Sequence, residues 1–317
     1  MNMHSVSVHI VTYNNETCIK KCIQCLFRQT YKNFSIVIID NASSDRTVEL
    51  CKKMSLRVVR NRNNIGYSAA QNQGIRLTKS TYILTLNADV FIQKDFLKQM
   101  VSALEREPVA GSAAGLLLRI NGVNEKPVCI DGAGLFMRKN RRQGLFNEGD
   151  KIHSPQQRCI LGPDGAAAFY RRKMLEDIAI HKEVFDQDFF MHKEDIDVVW
   201  RAQRAGWTSL FVPNAIARHI RTFRSGQRNI VSSRLRLLGL RNRYLLLLKN
   251  DTMQYFLRDI LHITWYEIGV FLYILFFERA TIHAYREAFS LRKKMKKKRE
   301  YIQKRWPLYT QPYQYFV

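Results

Sequence analysis

Acidic residues are scarce in this chain of 317 residues, which has 27 Asp and Glu against 51 Lys and Arg and a net charge of +24. A positive excess of that size favours an anionic partner such as nucleic acid, an acidic membrane surface or a phosphorylated substrate. Hydrophobic residues make up 46% of the chain, which excludes an intrinsically disordered protein. The length predicts one large domain or two medium ones.

Three further features are absent from the sequence. The N-terminal segment MNMHSVSVHIV has no basic stretch followed by an apolar stretch and a cleavage site, so a signal peptide is not expected. No GxGxxG motif follows the first predicted strand, which excludes a dinucleotide-type phosphate loop. The longest apolar run, IGVFLYILFF at 268–277, has ten residues, whereas a membrane-spanning helix needs roughly 20. We therefore do not expect this run to span a membrane.

Cysteine is used sparingly, with six residues in the chain. Cys18, Cys22 and Cys25 could form a metal cluster, but their spacing also places them on one face of a predicted helix beside apolar residues. A zinc site would need a second CxxC pair, and the sequence has none. We predict buried core thiols, no disulfides and a reducing cytosolic location.

Strands and helices alternate over about the first 90 residues. Strands are predicted at 6–14, 34–45, 56–61 and 81–90. Helices lie between them, and Asn15 is expected to cap the first. This alternation predicts an α/β fold in which helices cover both faces of a parallel sheet. Further along, an amphipathic helix that stops at Gly206 precedes a strand at 208–220.

Polar residues occur where each of the first four strands ends. They are Thr12, Tyr13, Asn14, Asp40, Asn41, Asn64, Gly66, Asn87 and Asp89. Because ligands of such sheets bind beyond the carboxyl ends of the strands, we expect these residues to form one crevice. If the crevice holds a nucleotide, a divalent metal is the expected substitute for the missing phosphate loop.

The chain changes character from about residue 221, where it becomes helical, aromatic and strongly basic. The basic run LRKKMKKKRE at 291–300 follows the apolar run at 268–277. We predict an in-plane or shallowly inserted helix with basic residues that contact anionic headgroups. Each such residue contributes about 1 kcal/mol at an acidic surface. A soluble helical subdomain or a homodimer interface stays open as the alternative.

Five motifs in a fixed order make the sequence similar to a known family. They are VTYNN, IIDNASSDRT, NIGYSAAQNQGI, LNADV and KEDIDVVWRAQRAGW. Over about residues 5–220 the chain resembles family 2 glycosyltransferases, and most of all their bacterial rhamnosyltransferase-like branch. The resemblance implies a GT-A fold, a Rossmann-like mixed sheet with helices on both faces. Residues 1–110 would form its nucleotide-sugar-binding half, 111–220 its acceptor-binding half, and 221–317 a helical membrane-associating extension.

The resemblance also implies a reaction. A sugar would pass, with inversion, from a UDP- or dTDP-sugar, dTDP-rhamnose included, to a lipid-linked or cell-surface glycan acceptor. The Asn-Ala-Asp triplet at 87–89 stands where the family has its DxD motif, so Asp89 is expected to bind Mg²⁺ or Mn²⁺ and Asn87 to contact the donor. His219 matches the family's downstream metal-ligating His. Such an ion stabilises negative charge on the departing diphosphate.

The remaining roles follow from the same resemblance. Asp195 is expected to deprotonate the acceptor hydroxyl while Glu194 orients the acceptor. The helix N-terminus is expected to lower the pKa of Asp195, and Asp197 is expected to be structural. Arg221 and Arg224 would add positive charge at the diphosphate. The expected nucleotide-sugar contacts are Thr12, Tyr13, Asn14, Asp40, Asn41, Asn64, Gly66, Asn87, Asp164 and Gly165.

The sequence alone leaves other functions open. Asp40 and Asp89 taken alone would equally suit turn carboxylates, and a non-catalytic nucleotide-sugar-binding scaffold would keep most of the motifs. A basic nucleic-acid-binding protein is disfavoured because no RNP, zinc-finger or helix-turn-helix signature is present. A nucleotidyltransferase is disfavoured because VTYNNET is not a Gly- and Arg-rich phosphate loop. We expect a cytoplasmic enzyme that is peripheral at the inner face of the cell membrane.

Overall fold

The computed structural model describes residues 4–153, 155–156, 158–221 and 231–307. Its strands are β1 Val6–Thr12, β2 Phe34–Asp40, β3 Val58–Arg60, β4 Tyr82–Leu86, β5 Val90–Ile92, β6 Ala110–Arg119, β7 Cys129–Gly132, β8 Leu135–Met137, β9 Gln143–Leu145, β10 Ala167–Arg171 and β11 Thr208–His219. Its helices are α1 Ile19–Phe27, α2 Thr47–Lys53, α3 Tyr67–Leu77, α4 Phe96–Arg106, α5 Arg172–Asp177, α6 Glu194–Arg204, α7 Ser233–Asn250, α8 Met253–Arg258, α9 Ile260–Phe277 and α10 His283–Arg305.

Nine strands form one mixed sheet in the order β3-β2-β1-β4-β10-β6-β11-β5, with β7 beside β6. The predicted parallel pairing is confirmed for β1, β2, β3 and β4. The rest of the sheet is mixed, as the family resemblance implied: β11 runs parallel to β6, whereas β10 runs antiparallel to both β4 and β6 and β5 runs antiparallel to β11. Strands from both sides of residue 110 therefore share the sheet.

Helices cover both faces of the sheet, as expected. Successive residues of a strand point to opposite faces, and β4 shows the two sides. Leu84 belongs to a core that includes Leu97 of α4. The neighbouring Ile83 belongs to a second core that includes Leu175 of α5 and Val199 of α6.

Helix α1 carries Cys22 and Cys25, and Cys18 immediately precedes it. Cys22 is fully buried in the first core, Cys18 and Cys25 pack against that core, and all six cysteines are free thiols. The prediction of core thiols is confirmed for Cys22, while Cys18 and Cys25 are partly buried. The predicted cap is wrong: the helix begins only at Ile19, and the side chain of Asn15 instead accepts a hydrogen bond from the backbone N–H of Tyr13 at 2.9 Å.

The C-terminal region is helical, as predicted, and packs on the second core through Leu245 of α7 and Met295 of α10. Helix α9 is longer than the apolar run at 268–277, because the charge of Glu267 is accommodated inside it by contacts with Arg243 and Tyr244 of α7. Among the described residues, α9 is the one helix long and apolar enough to cross a membrane by length and composition, and 11% of it is buried. The apolar helix is thus longer than the ten-residue run in the sequence, and the expectation that it does not span a membrane stays a prediction.

Strands β8 and β9 form a separate antiparallel hairpin, and buried Arg141 in its turn ties the C-terminal helices to that hairpin. Its guanidinium pairs with Asp251 at 2.8 Å and Asp259 at 2.7 Å, the residues that precede α8 and α9. Arg243 of α7 in turn donates to the carbonyl oxygen of Arg141 at 2.6 Å. Removing one partner of a buried ion pair leaves the other charge without compensation, which makes this contact a strong constraint on where the helices lie.

Replacing Arg141 by Met tests this anchor. The substitution keeps an apolar chain of similar length but leaves Asp251 and Asp259 buried without the guanidinium, so we expect the free energy of unfolding to fall by about 3–5 kcal/mol. Urea denaturation would measure it. Arg46→Met is the control, since Arg46 pairs with Glu16 at the exposed surface and its loss should cost at most about 1 kcal/mol. Equal losses would show that Arg141 is no anchor.

Candidate active site

Polar residues that follow β1 and β2 bond to one another at the edge of the predicted crevice. Asp40 is fully buried and accepts hydrogen bonds from Thr12 Oγ1 at 3.0 Å and from the backbone N–H of Ser43 at 3.0 Å. Asn14 reaches across from β1 to accept from the N–H of Ser44 at 2.9 Å. The ring of Tyr13 is exposed beside them. Asp40 thus serves its own turn, which is the structural alternative for this residue, and its side chain is not exposed.

The loop before α3 joins this crevice through Gly66. Asn64 accepts from the Gly66 N–H at 3.0 Å, and Asn41 donates to the Gly66 carbonyl oxygen at 3.2 Å. Gly66 has φ +86°, and a Cβ there would lie 2.5 Å from the ring of Phe190. Glycine is needed because both the left-handed backbone and the close approach of Phe190 exclude a side chain.

The strand pairing of β5 with β11 brings Asp89 and His219 together. His219 is the register partner of Val90, the residue that follows Asp89. The Nε2 atom of His219 lies 3.7 Å from Asp89 Oδ1, which is buried and accepts no hydrogen bond from any described residue. Burial raises the pKa of Asp89 despite the opposing effect of His219. Sequence reasoning named both residues, and the tertiary structure makes them neighbours.

Asp131 of β7 completes this cluster, and sequence reasoning missed it. Its buried carboxylate accepts from His219 Nδ1 at 2.7 Å, from Arg119 at 2.9 Å and from Arg221 at 2.8 Å. Burial opposes its ionisation, but His219 and Arg221 outweigh burial and hold the pKa of Asp131 well below its usual range. Burial likewise opposes protonation of His219, yet the bond to Asp131 and the charge of Asp89 raise its pKa. The one sequence feature that could have indicated Asp131 is that it is an acid inside an otherwise apolar strand segment.

Arg221 bridges two acids at the mouth of the site. Besides Asp131 it contacts Asp164, whose Oδ2 accepts from its Nη2 at 2.6 Å. Asp164 also accepts from the N–H of Ala166 at 3.0 Å, which shapes the turn before β10. Arg224, the second arginine expected near a diphosphate, lies outside the described residues.

The acidic pair opens helix α6, where the sequence predicted it. Asp195 accepts from the backbone N–H of Gly165 at 3.0 Å and of Ile196 at 2.8 Å. Glu194 is buried, and its Oε2 accepts no hydrogen bond within the described ranges. Burial raises the pKa of both carboxyls, reinforced at Glu194 by the charge of Asp195 and at Asp195 by that of Asp164. The expected lowering of the Asp195 pKa by the helix dipole is therefore wrong, because desolvation outweighs the dipole.

Asp197, two residues on, behaves as a structural acid, as expected. It is fully buried and accepts from Arg201 at 2.8 Å, from Lys249 at 2.8 Å and from Asn250 at 2.9 Å. Burial opposes its ionisation, but Arg201 and Lys249 lower its pKa. Its side chain binds Lys249 and Asn250 of α7 and is not among the described residues that line the cleft below.

One cleft of about 1160 Å³ joins most of these groups. Seven predicted site residues line it: Asn87, Asp89, Asp164, Gly165, Glu194, Asp195 and His219. Its far wall comes from α7 and α9 through residues that include Leu235, Leu240, Trp265 and Val270. The other predicted residues, Thr12, Tyr13, Asn14, Asp40, Asn41, Asn64 and Gly66, are not among the described residues that line it. No cluster of three or more His, Cys, Asp or Glu side chains able to hold a metal occurs in the described part of the chain, so Asp89 and His219 stand as a two-residue candidate.

Comparison with known proteins identifies the family of this chain. The model of the family described as "Glycosyl transferase family 2" matches residues 7–178, more than half of the chain. The chain belongs to glycosyl transferase family 2. It is 25% identical to the amylovoran biosynthesis glycosyltransferase AmsB of Erwinia amylovora over 71% of this chain and 72% of that protein. It is 23% identical to the N-acetylglucosaminyl-diphospho-decaprenol L-rhamnosyltransferase of Mycobacterium tuberculosis over 68% of this chain and 76% of that one.

Other relatives of this family 2 chain match over a shorter part. Glycosyltransferase GlyA of Streptococcus pneumoniae is 31% identical over 30% of this chain, and the match spans only 14% of GlyA. The match to GlyG of the same organism spans 36% of that protein.

Solved structures confirm the GT-A fold. GalNAc-T7 with UDP, GalNAc and Mn²⁺ superposes with a TM-score of 0.63 at 17% identity, over 78% of this chain and 48% of that one. The mannosyltransferase PcManGT from Pyrobaculum calidifontis, in complex with GDP-Man and Mn²⁺, superposes with a TM-score of 0.56 at 14% identity, over 96% of this chain and 86% of that one.

Gly66→Ala should be more destabilising than Gly149→Ala, although both glycines have φ +86°. The left-handed backbone costs alanine about 1–2 kcal/mol at either position. At Gly66 the added Cβ also meets Phe190, whereas no described atom lies within 4 Å at Gly149. Overpacking of this kind adds about 1–3 kcal/mol, which urea denaturation of the two variants would resolve. Equal losses would mean that Phe190 does not pack on Gly66.

Proposed function

We propose that this protein is an inverting glycosyltransferase that takes a sugar from a nucleoside diphosphate donor, with UDP or dTDP as the carrier. The observation that carries the proposal is the cleft in which Asp89 and His219 line the same space as Glu194 and Asp195. Family membership supports transfer of a glycosyl group, and the two relatives matched over most of their length are named as sugar transferases. dTDP-rhamnose is one donor to test, because the mycobacterial relative is named as an L-rhamnosyltransferase.

Asp89 and His219 are the residues that would hold a divalent metal, Mg²⁺ or Mn²⁺. The fit rests on the buried Asp89 Oδ1, which lacks a hydrogen bond among the described residues and faces His219 Nε2. Asp131 accepts from Nδ1 and so leaves Nε2 directed at Asp89, the arrangement typical of a metal-ligating imidazole. Such an ion would neutralise charge on the diphosphate as it departs. An imidazole ligand favours Mn²⁺ over Mg²⁺.

Asp195 is the proposed base. As the acceptor oxygen bonds to the anomeric carbon, its proton passes to the Asp195 carboxylate, and the bond from that carbon to the phosphate oxygen breaks with its electron pair on the diphosphate. A pKa raised by burial makes Asp195 a stronger base than an exposed carboxylate. The raised pKa of Glu194 favours its protonated form, which can donate a hydrogen bond to the acceptor.

The crevice at the ends of β1 and β2 is proposed to hold the nucleoside. The exposed Tyr13 ring offers a stacking surface for the base, and Asp40 has lone pairs beyond those used in its turn. The remaining proposed nucleoside contacts are Thr12, Asn14, Asn41, Asn64 and Gly66. Asn87, Asp164 and Gly165 line the neighbouring cleft, where the donor sugar would lie.

The acceptor is proposed to be lipid-linked. The cleft continues from Asp195 to an apolar wall of α7 and α9 that includes Leu240 and Trp265, and Arg142 and Arg243 also line it. That combination suits a molecule with an apolar chain and an anionic linker. A cell-surface glycan without lipid is the second candidate, and it would leave the apolar wall unused.

Attachment at an anionic membrane surface is proposed to occur through α9. Its residues Leu261, Phe276 and Phe277 are among the most exposed large apolar side chains, at 71%, 67% and 75%. Glu267 on the same helix is bound by Arg243, which holds α9 against the protein and favours an in-plane position. The basic run is only partly available for headgroups, because Lys298 and Lys294 pair with Asp186 and Asp188.

A donor screen tests the proposed reaction. UDP-, dTDP- and GDP-sugars would be offered with a lipid extract as acceptor source, and release of the nucleoside diphosphate followed with Mn²⁺, Mg²⁺ or EDTA. We expect one donor to turn over, and EDTA to abolish turnover. Asp195→Asn should lower kcat by about 10²–10⁴-fold, the usual contribution of a general base.

The controls of this screen separate the alternatives. Full turnover in EDTA or in Asp89→Asn would contradict the metal assignment. Wild-type kcat in Asp195→Asn would contradict the base. Binding of a nucleotide sugar without any transfer would support the scaffold instead.

Membrane attachment is tested on vesicles containing phosphatidylglycerol. The double change Phe276→Ser and Phe277→Ser should weaken binding by about 10-fold or more, because each buried Phe contributes roughly 1.5–3 kcal/mol. Co-sedimentation would measure it, with Phe27→Ser as control, since Phe27 is exposed at the end of α1. If the double variant binds vesicles as before but changes the sedimentation coefficient, α9 is a homodimer interface instead.

A further inference from the structure

The segment that leads into the acidic pair is strained. Phe190, His192 and Lys193 have φ of +63°, +70° and +68°, and none of them is glycine. Lys193 is the residue immediately before Glu194, where α6 begins. Side chains disfavour the left-handed region, so such a run persists only where the surroundings hold it.

Helix α7 supplies those surroundings through one fully buried amide. Asn242 Nδ2 lies 2.8 Å from each of the carbonyl oxygens of Phe189, Met191 and His192. Its Oδ1 accepts from Arg241 Nε at 3.0 Å and from Nη2 at 2.9 Å, which fixes the amide with its nitrogen toward the segment. The two N–H groups of this amide are thus shared among three carbonyl oxygens that the strained backbone turns inward.

Neighbouring contacts hold the same segment from other sides. Arg241 donates to the carbonyl oxygens of Asp188 at 2.8 Å and Phe189 at 3.1 Å. The N–H of Ser68 on α3 donates to the carbonyl oxygen of Phe190 at 3.2 Å. Beyond the acidic pair, Lys249 of α7 binds Asp197 at 2.8 Å. Helix α7 therefore contacts the chain on both sides of Glu194 and Asp195.

We propose that Asn242 is a positioning residue for the acidic pair, and that the C-terminal extension is part of the catalytic apparatus through it. The backbone angles of 190–193 set the direction in which the first turn of α6 points. Without the amide, those residues would relax toward right-handed angles, and Asp195 would shift relative to the cleft. This inference rests on the proposed role of Asp195 as the base.

Asn242→Asp is the informative variant, because it keeps the size of the side chain and replaces the donating NH₂ by an oxygen that repels the three carbonyls. We expect kcat for the donor found in the screen to fall about 100-fold, the effect of a displacement of about 1 Å at a catalytic group. Hydrogen–deuterium exchange of the backbone over 188–196 should accelerate. KM for the donor should change little, since the amide does not line the cleft.

Leu245→Ala is the matched control for stability. Leu245 is fully buried on the same helix and donates no hydrogen bond to the segment. Its truncation should lower the melting temperature while leaving kcat and the exchange of 188–196 near their wild-type values. A purely structural role for Asn242 would make both variants behave alike below their melting temperatures, and that result would overturn the proposal.

Further variants and measurements separate failure of this inference from failure of the proposed function. If Asn242→Asp does not fold, Arg241→Met removes the guanidinium that orients the Asn242 amide and shares the Phe189 carbonyl oxygen with it. Unchanged exchange and kcat in that variant would overturn the proposal. If Asp195→Asn abolishes turnover while Asn242→Asp retains it, the inference fails and the proposed function stands. If Asp195→Asn retains turnover, the proposed function fails first. Unchanged exchange over 188–196 in Asn242→Asp overturns the inference even where no donor turns over.

Discussion

The buried carboxylate of Asp131 is the contact on which the rest of the site depends. A charge removed from water must be compensated by partners, and Asp131 has three: Arg119, His219 and Arg221. These partners fix the imidazole of His219 toward Asp89 and hold Arg221 against Asp164. One acid on a short strand thus orients a candidate metal ligand and closes one side of the cleft.

Helix α6 shows how environment, rather than residue type, separates roles. Glu194, Asp195 and Asp197 lie within its first turn. Desolvation raises the pKa of the first two, which face the cleft, whereas Arg201 and Lys249 lower that of Asp197. The dipole at the helix N-terminus acts on all three and so cannot distinguish them. The distinction comes from counter-charges that only one of them receives.

The C-terminal helices do more than present an apolar surface. Their polar residues point inward and form ion pairs with residues before 221: Lys249 with Asp197, Lys298 with Asp186, and Asp251 with Arg141. The high net charge predicted an external anionic partner for the basic run. Part of that run instead compensates acids of the protein itself, which leaves α9 as the main candidate for membrane contact.

Local patterns in the sequence were sufficient to predict the alternation of strands and helices over the first 90 residues and the burial of Cys22, and to single out Asp89, Glu194, Asp195 and His219 as candidates. These follow from local periodicity and short motifs, which act over a few residues. Three features became visible only in the folded chain: β10 and β5 run antiparallel, Asp131 binds His219 from 88 residues away, and Asn242 binds the His192 carbonyl oxygen from 50 residues away. The physical reason is that a buried polar group must find a partner somewhere, but no local pattern specifies which distant residue packing will bring to it.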